Sequence, residues 1–374
     1  MGAHSSLGPS SSERWIHCTP SVKLCADMPD VTSTFAQEGT DAHAVCEYLL
    51  KKALGQEAED PREDLTYYNE EMQEAAEGYV AYVLSLISEA KKTCKDVICQ
   101  VEQKISYERF VAGGFGTADC IIIADGTMNV VDFKYGMGVE VSAKGNTQMR
   151  IYAVGALEIY DPLYDISNVQ MTIYQPRLSN ISQDEISRDD LYAWAEEVLK
   201  PAAAEAETGE GEFQCGNWCR FCKAKHVCRE RAKENLKLAA YDFATPPLLD
   251  DDEIVDILGK VDRLVQWAND IKEYALQEAV DGKKWDGFKV VEGRSIRKYK
   301  DEAAVAAAVK AAGYDPYQKK LLTITEMQKQ LGKRKFEEVL GGLIIKPQGK
   351  PALVPADDKR PEFNTAKADF KEEN

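Results

Sequence analysis

Residues 115–136, FGTADCIIIADGTMNVVDFKYG, limit what this chain can fold into more than any other stretch. Cys120–Ala124 and Val130–Phe133 are apolar, β-branched runs of strand length. Asp125-Gly126 between them is a hairpin turn signal. Side chains on a strand alternate between faces. Asp132 and Lys134 therefore share one face, and Val131, Phe133 and Tyr135 share the other. Two opposite charges in an apolar strand need a reason, because burying an ionised group is costly unless it is paired or binds a metal. An edge strand with a solvated ion pair is one answer. A buried polar site is the other, and it requires further polar groups to converge there.

Such groups are present. Asp119 enters the first of the two strands after a Gly-rich approach, and hairpin pairing brings it towards Asp132. Two carboxylates at one point repel each other unless a cation sits between them. Hard oxygen ligands select Mg²⁺ or Mn²⁺, and the carbonyl of Phe133 offers a third oxygen. Lys134 then faces the same pocket, placed to orient a water or to stabilise charge on a phosphate. Gln148 and Tyr152, four residues apart in a helical stretch, share a face.

The surrounding periodicity places these residues in an α/β frame. Helical spacing marks 38–54, 65–92, 146–160, 189–207, 249–281 and 301–341, with a short capped helix near 12–25. Strands are expected at 96–106, 115–126, 128–136 and 169–177. This order of helices and strands predicts a mixed central β-sheet flanked by helices. Residues 1–12 are Ser/Gly-rich and expected to be flexible, and 13–235 form the core with a cysteine cluster. A mainly helical C-terminal region at 236–345 carries a small hairpin at 284–299, and 346–374, rich in Pro and charge, reads as extended or disordered.

The net charge of −17 argues against a protein coated for non-specific nucleic-acid binding. It leaves room for a local groove: 220–237 hold seven Lys/Arg against two Glu, and 293–300 and 318–335 are also basic. Taken singly, each basic run reads as a solvated helix face. No apolar run approaches the roughly eighteen residues of a membrane span, so no membrane partner is expected. The N-terminus lacks the apolar core of a signal peptide, which points to the cytoplasm. Ten cysteines in a reducing compartment favour metal binding or buried thiols over disulfides.

The series GTAD, DFK and QMRIY resembles the PD-(D/E)XK nuclease superfamily, and more narrowly its RecB-type branch. That branch adds a histidine on an upstream helix, matched by His43 in GTDAHAVCEYL. The resemblance implies a restriction-endonuclease-like core. His43, Asp119, Asp132 and the Phe133 carbonyl would bind metal, Lys134 would be catalytic, and Gln148 and Tyr152 would support the site or touch DNA. Glu102, in QVEQK, is a candidate for a supporting position behind the metal ligands, against the alternative of an exposed strand carboxylate.

CGNWCRFCKAKHVC carries Cys215, Cys219, Cys222 and Cys228, and the last three resemble the C-terminal triplet of iron–sulfur nucleases such as the AddB nuclease domain. In those proteins a distant N-terminal cysteine completes the set, and RWIHCTP supplies Cys18 at that place. Four thiolates are what a [4Fe–4S] cluster needs. Zinc is the alternative ion, and Cys215 is the alternative to Cys18. The chain as a whole looks similar to a phage-encoded family long without an assigned function. The expectation is a Mg²⁺- or Mn²⁺-dependent DNA nuclease, an exonuclease on DNA ends or single strands. It would work with phage replication or recombination proteins in the host cytoplasm. The basic run at 220–237 would track the backbone, and Trp218 or Trp15 is available to stack a base, with core packing as the competing role. The alternative function is a DNA-binding or replication-scaffold protein that keeps the fold without turnover, and a zinc-stabilised interaction module is a third.

Overall fold

The computed structural model describes residues 7–29, 34–238, 249–292, 300–317 and 321–345. The chain forms two compact units, Met1–Val290 and Val291–Asn374. The first is an α/β unit around a five-stranded mixed sheet in the order β1 (Ile98–Ser106), β2 (Phe115–Ala124), β3 (Gly126–Phe133), β4 (Ile166–Gln175), β5 (Asn180–Ser187). All neighbours are antiparallel except β3 and β4, which run parallel across the helix α5 (Thr147–Tyr160). Gly126, with φ of 82°, makes the tight turn between β2 and β3 that the Asp-Gly pair requires.

Helices cover both faces of the sheet. On one face, α3 (Thr34–Ala53) and α4 (Glu70–Ala90) pack against Cys120, Ile122, Val131, Phe133 and Tyr135. On the other, α5 packs on Ala118, Ile121, Met128 and Val130, together with α1 (Ser12–His17) and the segment α6 (Arg188–Trp194) to α7 (Lys200–Thr208). Helix starts are capped as their sequences dictate: Asn69 accepts from the Met72 N–H and Asn146 from the Met149 N–H. Arg177, after β4, pairs with Glu38 of α3 at 3.0 Å and Glu71 of α4 at 3.2 Å while lying over the Tyr135 ring. This clamp holds the two helices against the end of the sheet.

Several expectations change. β3 lies in the middle of the sheet, so Asp132 and Lys134 are not on an edge strand. Lys134 follows the last residue of β3, though its N–H still bonds the Tyr174 carbonyl. β5 is an unforeseen strand, and the helix expected at 189–207 is two helices joined by a π-helical turn at Ala195–Leu199. Of the N-terminal stretch expected to be flexible, residues 7–12 are packed: Leu7 is buried and its carbonyl accepts from the Tyr107 hydroxyl. Residues 1–6 lie outside the described residues. Helices α8 (Arg229–Leu236) and α9 (Asp251–Val280) belong to the first unit. The hairpin expected at 284–299 has no strand in its described part, 284–292, and the tail 346–374 lies outside the described residues. The second unit contains α10 (Glu302–Ala311), α11 (Ile324–Leu331) and α12 (Lys333–Leu340). Among the described residues, no helix is long and apolar enough to cross a membrane.

Candidate active site and cysteine pocket

Seven side chains singled out from the sequence meet around β1, β2 and β3. His43 comes from α3, Glu102 from β1, Asp119 from β2, Asp132 from β3 with Lys134 just beyond it, and Gln148 and Tyr152 from α5. Asp119 is the hub. Its Oδ1 lies 3.4 Å from His43 Nδ1, and its Oδ2 accepts the Phe133 N–H at 2.7 Å, which brings the Phe133 main chain to the site. Lys134 Nζ lies 3.0 Å from Asp132 Oδ2 and donates to Gln148 Oε1 at 3.2 Å. The Gln148 amide in turn donates to Asp132 Oδ1 and to the Tyr152 hydroxyl, both at 3.3 Å.

A distortion shared by two strands builds the centre of this site. The register pairs Val101 with Cys120 and Gln103 with Ala118, so Glu102 stands opposite Asp119, yet this pair is missing from the ladder. Glu102 has φ of 51°, a left-handed conformation that costs a non-glycine residue about 1–3 kcal/mol. The side-chain phase reverses across it. Cys99 and Val101 pack towards α3 and α4, whereas Ile105 packs on the opposite face. The consequence is that single ligand atoms of His43, Glu102 and Asp119 all lie within 4.8 Å of one another. Glu102 thus joins the inner cluster rather than standing behind it, and no motif signals this; only the bend in β1 does.

The electrostatics follow from burial and close charges. Burial opposes charge on His43, but the charge and hydrogen bond of Asp119, with Asp132, outweigh it and raise the imidazole to about 9. Burial likewise opposes ionisation of Asp119, yet His43, the Phe133 N–H and Lys134 hold it below its ordinary value. Asp132 shifts the other way: burial and the Asp119 charge raise it despite Lys134. Burial and Asp119 also push Glu102 up to about 7. Asp132 is 2% exposed, and its Oδ2 meets the Lys134 ammonium at 3.0 Å. A buried carboxylate beside a three-residue cluster of N and O donors fits a hard divalent cation.

The cysteines gather in a second place. Cys18, Cys215, Cys219, Cys222 and Cys228 line one small cavity, together with Arg14 and Arg231. Both candidates for the fourth ligand, Cys18 and Cys215, are therefore at the same cavity. The Sγ atoms of Cys215 and Cys219 are 3.9 Å apart. The neighbouring Cys215 thiol holds Cys219 down to about 6 against burial, with help from the Gly216 N–H and Arg231. Cys25 is buried and places its Sγ 3.7 Å from that of Cys222. Cys46, Cys94 and Cys120 are buried, and Cys99, partly buried, sits 3.6 Å from Cys120. Trp15 is fully buried and donates to the Gly8 carbonyl, so its role is core packing; Trp218 is stacked on His17 at 4.4 Å.

Among solved structures, one titled "Crystal structure of SSO0001" is similar at 16% identity and a TM-score of 0.24, covering 50% of this chain and 95% of that chain. Over residues 4–361 the sequence matches the family described as "Protein of unknown function (DUF2800)", and the chain belongs to that family.

Proposed function

We propose that this protein is a divalent-cation-dependent DNA nuclease of the PD-(D/E)XK type, hydrolysing phosphodiester bonds as an exonuclease. The observation that carries the reading is the convergence of His43, Glu102 and Asp119 within 4.8 Å beside the buried Asp132–Lys134 pair. His43, Glu102, Asp119, Asp132 and the Phe133 carbonyl are the groups that would hold Mg²⁺ or Mn²⁺. When bound, the ion supplies Lewis acidity to a phosphodiester and its attacking water. Lys134 is fixed by Asp132 and Gln148. Its ammonium carries three protons, and the one not engaged by Gln148 or Asp132 is available to a phosphate oxygen or a water. Asp132 and Asp119 outweigh burial and raise the Lys134 pKa, so it acts as a cation rather than a base. Tyr152 and Gln148 keep the Asp132 carboxylate oriented.

The cysteine pocket reads as a [4Fe–4S] site built from Cys18, Cys219, Cys222 and Cys228, with Cys215 at the same cavity. The donor set fits. Zinc is the alternative occupant, because the same thiolates bind it.

The test is incubation of the full-length protein with end-labelled single- and double-stranded DNA in Mg²⁺, Mn²⁺ or EDTA. Cation-dependent release of mononucleotides or short fragments supports the reading. Binding without cleavage in every cation would replace it with the DNA-binding scaffold. Iron, sulfide and zinc analysis of anaerobically purified protein decides the second site independently.

A further inference from the structure

A cleft of about 790 Å³ opens beside Lys134 and Gln148 and runs to Cys215, Arg220 and Phe221, with Arg263 and Gln266 of α9 also in its lining. Its walls carry five Lys/Arg against two Glu, in a chain whose net charge is −17. The sign of the charge is thus reversed locally, in a groove that reaches the candidate site. Lys134 and Arg231 are committed to Asp132 and Asp270. Lys144, Arg220 and Arg263 have no carboxylate within 4.0 Å among the described residues, although the charge of Arg263 is felt by Glu234.

The position of α9 is set from the same side. Arg263, Gln266, Asp270 and Tyr274 follow helical spacing and share one face. Asp270 takes Arg231 at 2.6 Å and Lys225 at 2.9 Å, and Tyr274 stacks on His226 at 4.1 Å. These three contacts anchor α9 to the cysteine segment and hold Arg263 against the cleft. Phe221 also lines the cleft and is 76% exposed, with Arg220 over its ring. Its position on a cationic wall leaves the ring face open to stacking by a flat base.

We infer that this cleft is the binding groove for a single DNA strand, with Arg220, Arg263 and Lys144 on the phosphates and Phe221 stacked against a base. The inference rests on the nuclease reading and extends it, because it makes α9, which the nuclease motifs do not include, part of the substrate grip. Cationic grooves interleaved with exposed aromatics suit unpaired strands, since base faces are available for stacking only there. A duplex hides those faces and offers phosphates and groove edges instead.

The experiment is fluorescence anisotropy of full-length protein with a labelled oligo(dT) strand and with a duplex of the same length, in EDTA and over a salt series. The wild type should bind the strand more tightly than the duplex. Arg220→Gln and Arg263→Gln should each weaken strand binding and reduce the slope of log K against log salt by about 0.7. Phe221→Ala should weaken it by about 5- to 100-fold with the slope unchanged. Lys92→Ala, on the surface at the end of α4 and paired with Glu89, is the charge control and should change neither quantity. Equal affinity for strand and duplex, or wild-type binding by both Arg263→Gln and Phe221→Ala, would overturn the inference. If such variants bind normally while the wild type cleaves DNA in Mn²⁺, the groove assignment fails and the nuclease reading stands. If binding depends on the groove as described but no cation supports cleavage, the groove stands and the nuclease reading fails.

Discussion

The carboxylate site and the cysteine pocket collect reactive side chains from distant parts of the chain, but they are built differently. The first draws on α3, three adjacent strands and α5, all regular elements tied by ladders and buried faces. Two ion pairs lie within it, His43 with Asp119 and Lys134 with Asp132. The pocket draws on the turn between two short helices, α1 and α2 (Ser21–Cys25), and on 213–228, whose only regular piece is a 3₁₀ turn at Asn217–Phe221. Its ties are few, among them Thr19 to the Glu210 carbonyl at 2.7 Å and the Arg231–Asp270 pair. A site on a rigid scaffold keeps its shape without its ion, whereas a ring of thiols on loops depends on what it binds. On the proposed reading, activity belongs to the first region and conditional stability to the second.

The strongest way to break it is Lys134→Ala. Loss of a group that acts on developing charge should lower DNA cleavage by about 10²- to 10³-fold, read from initial rates on end-labelled DNA in Mn²⁺. Undiminished turnover in a folded variant would remove Lys134 from the chemistry.

Next is Cys18→Ala against Cys215→Ala. Cys18 ties the N-terminal segment to the cavity across some two hundred residues of chain, so its loss should release iron and destabilise the first unit. The expected size is that of a lost structural cross-link, about 2–5 kcal/mol. Cys215→Ala should be mild by thermal unfolding and by the visible spectrum. The reverse pattern would make the pocket a local clip with Cys215 as the ligand.

Without divalent cation, the carboxylate site should make stability depend on pH. His43 is raised from 6.5 to about 9 and Glu102 from 4.5 to about 7. Each folded-state value lies above the unfolded one, so each contribution is fully present below the unfolded pKa. It is lost as pH rises through the folded pKa. In EDTA the melting temperature should therefore fall between about pH 4.5 and 9. Glu102→Gln should flatten the lower part of that fall and His43→Gln the upper part. Stabilisation by Mn²⁺ should grow with pH, because the His43 proton must leave before the nitrogen can bind. A flat profile in EDTA would mean that these groups are not held as described.

The smallest effect tests how tightly the first region is packed. A Cβ on Gly116 would lie 3.1 Å from Tyr152 Cε1 and from Pro9 Cγ. Gly116→Ala should cost about 1 kcal/mol in unfolding and lower cleavage a few-fold as Tyr152 is displaced from Gln148.

Much of this was legible along the chain. The alternation of Val131, Phe133 and Tyr135 against Asp132 and Lys134, with the Asp-Gly turn, is local chemistry, and it foretold the hairpin and the charge pair. β5 was not legible because NISQDEIS is a polar edge strand with little apolar alternation to mark it. Its pairing with β4 is decided by the ladder, not by its own residues. Glu102 belongs to the inner cluster because β1 bends out of phase at that residue, and no spacing rule anticipates a positive φ in a strand.

The sequence by itself determined four of the five strands, the helical periods and the identities of the groups able to bind a cation or an iron cluster. Those depend on residue type and on separations of a few positions. Only the tertiary structure decided that Glu102 stands with His43 and Asp119, that Cys18 and Cys215 share one cavity, and that α9 brings Arg263 to the cleft. Those are contacts between residues far apart in the chain. They arise where the sheet must bury both faces at once, and the position of each partner is set by the packing of all the others.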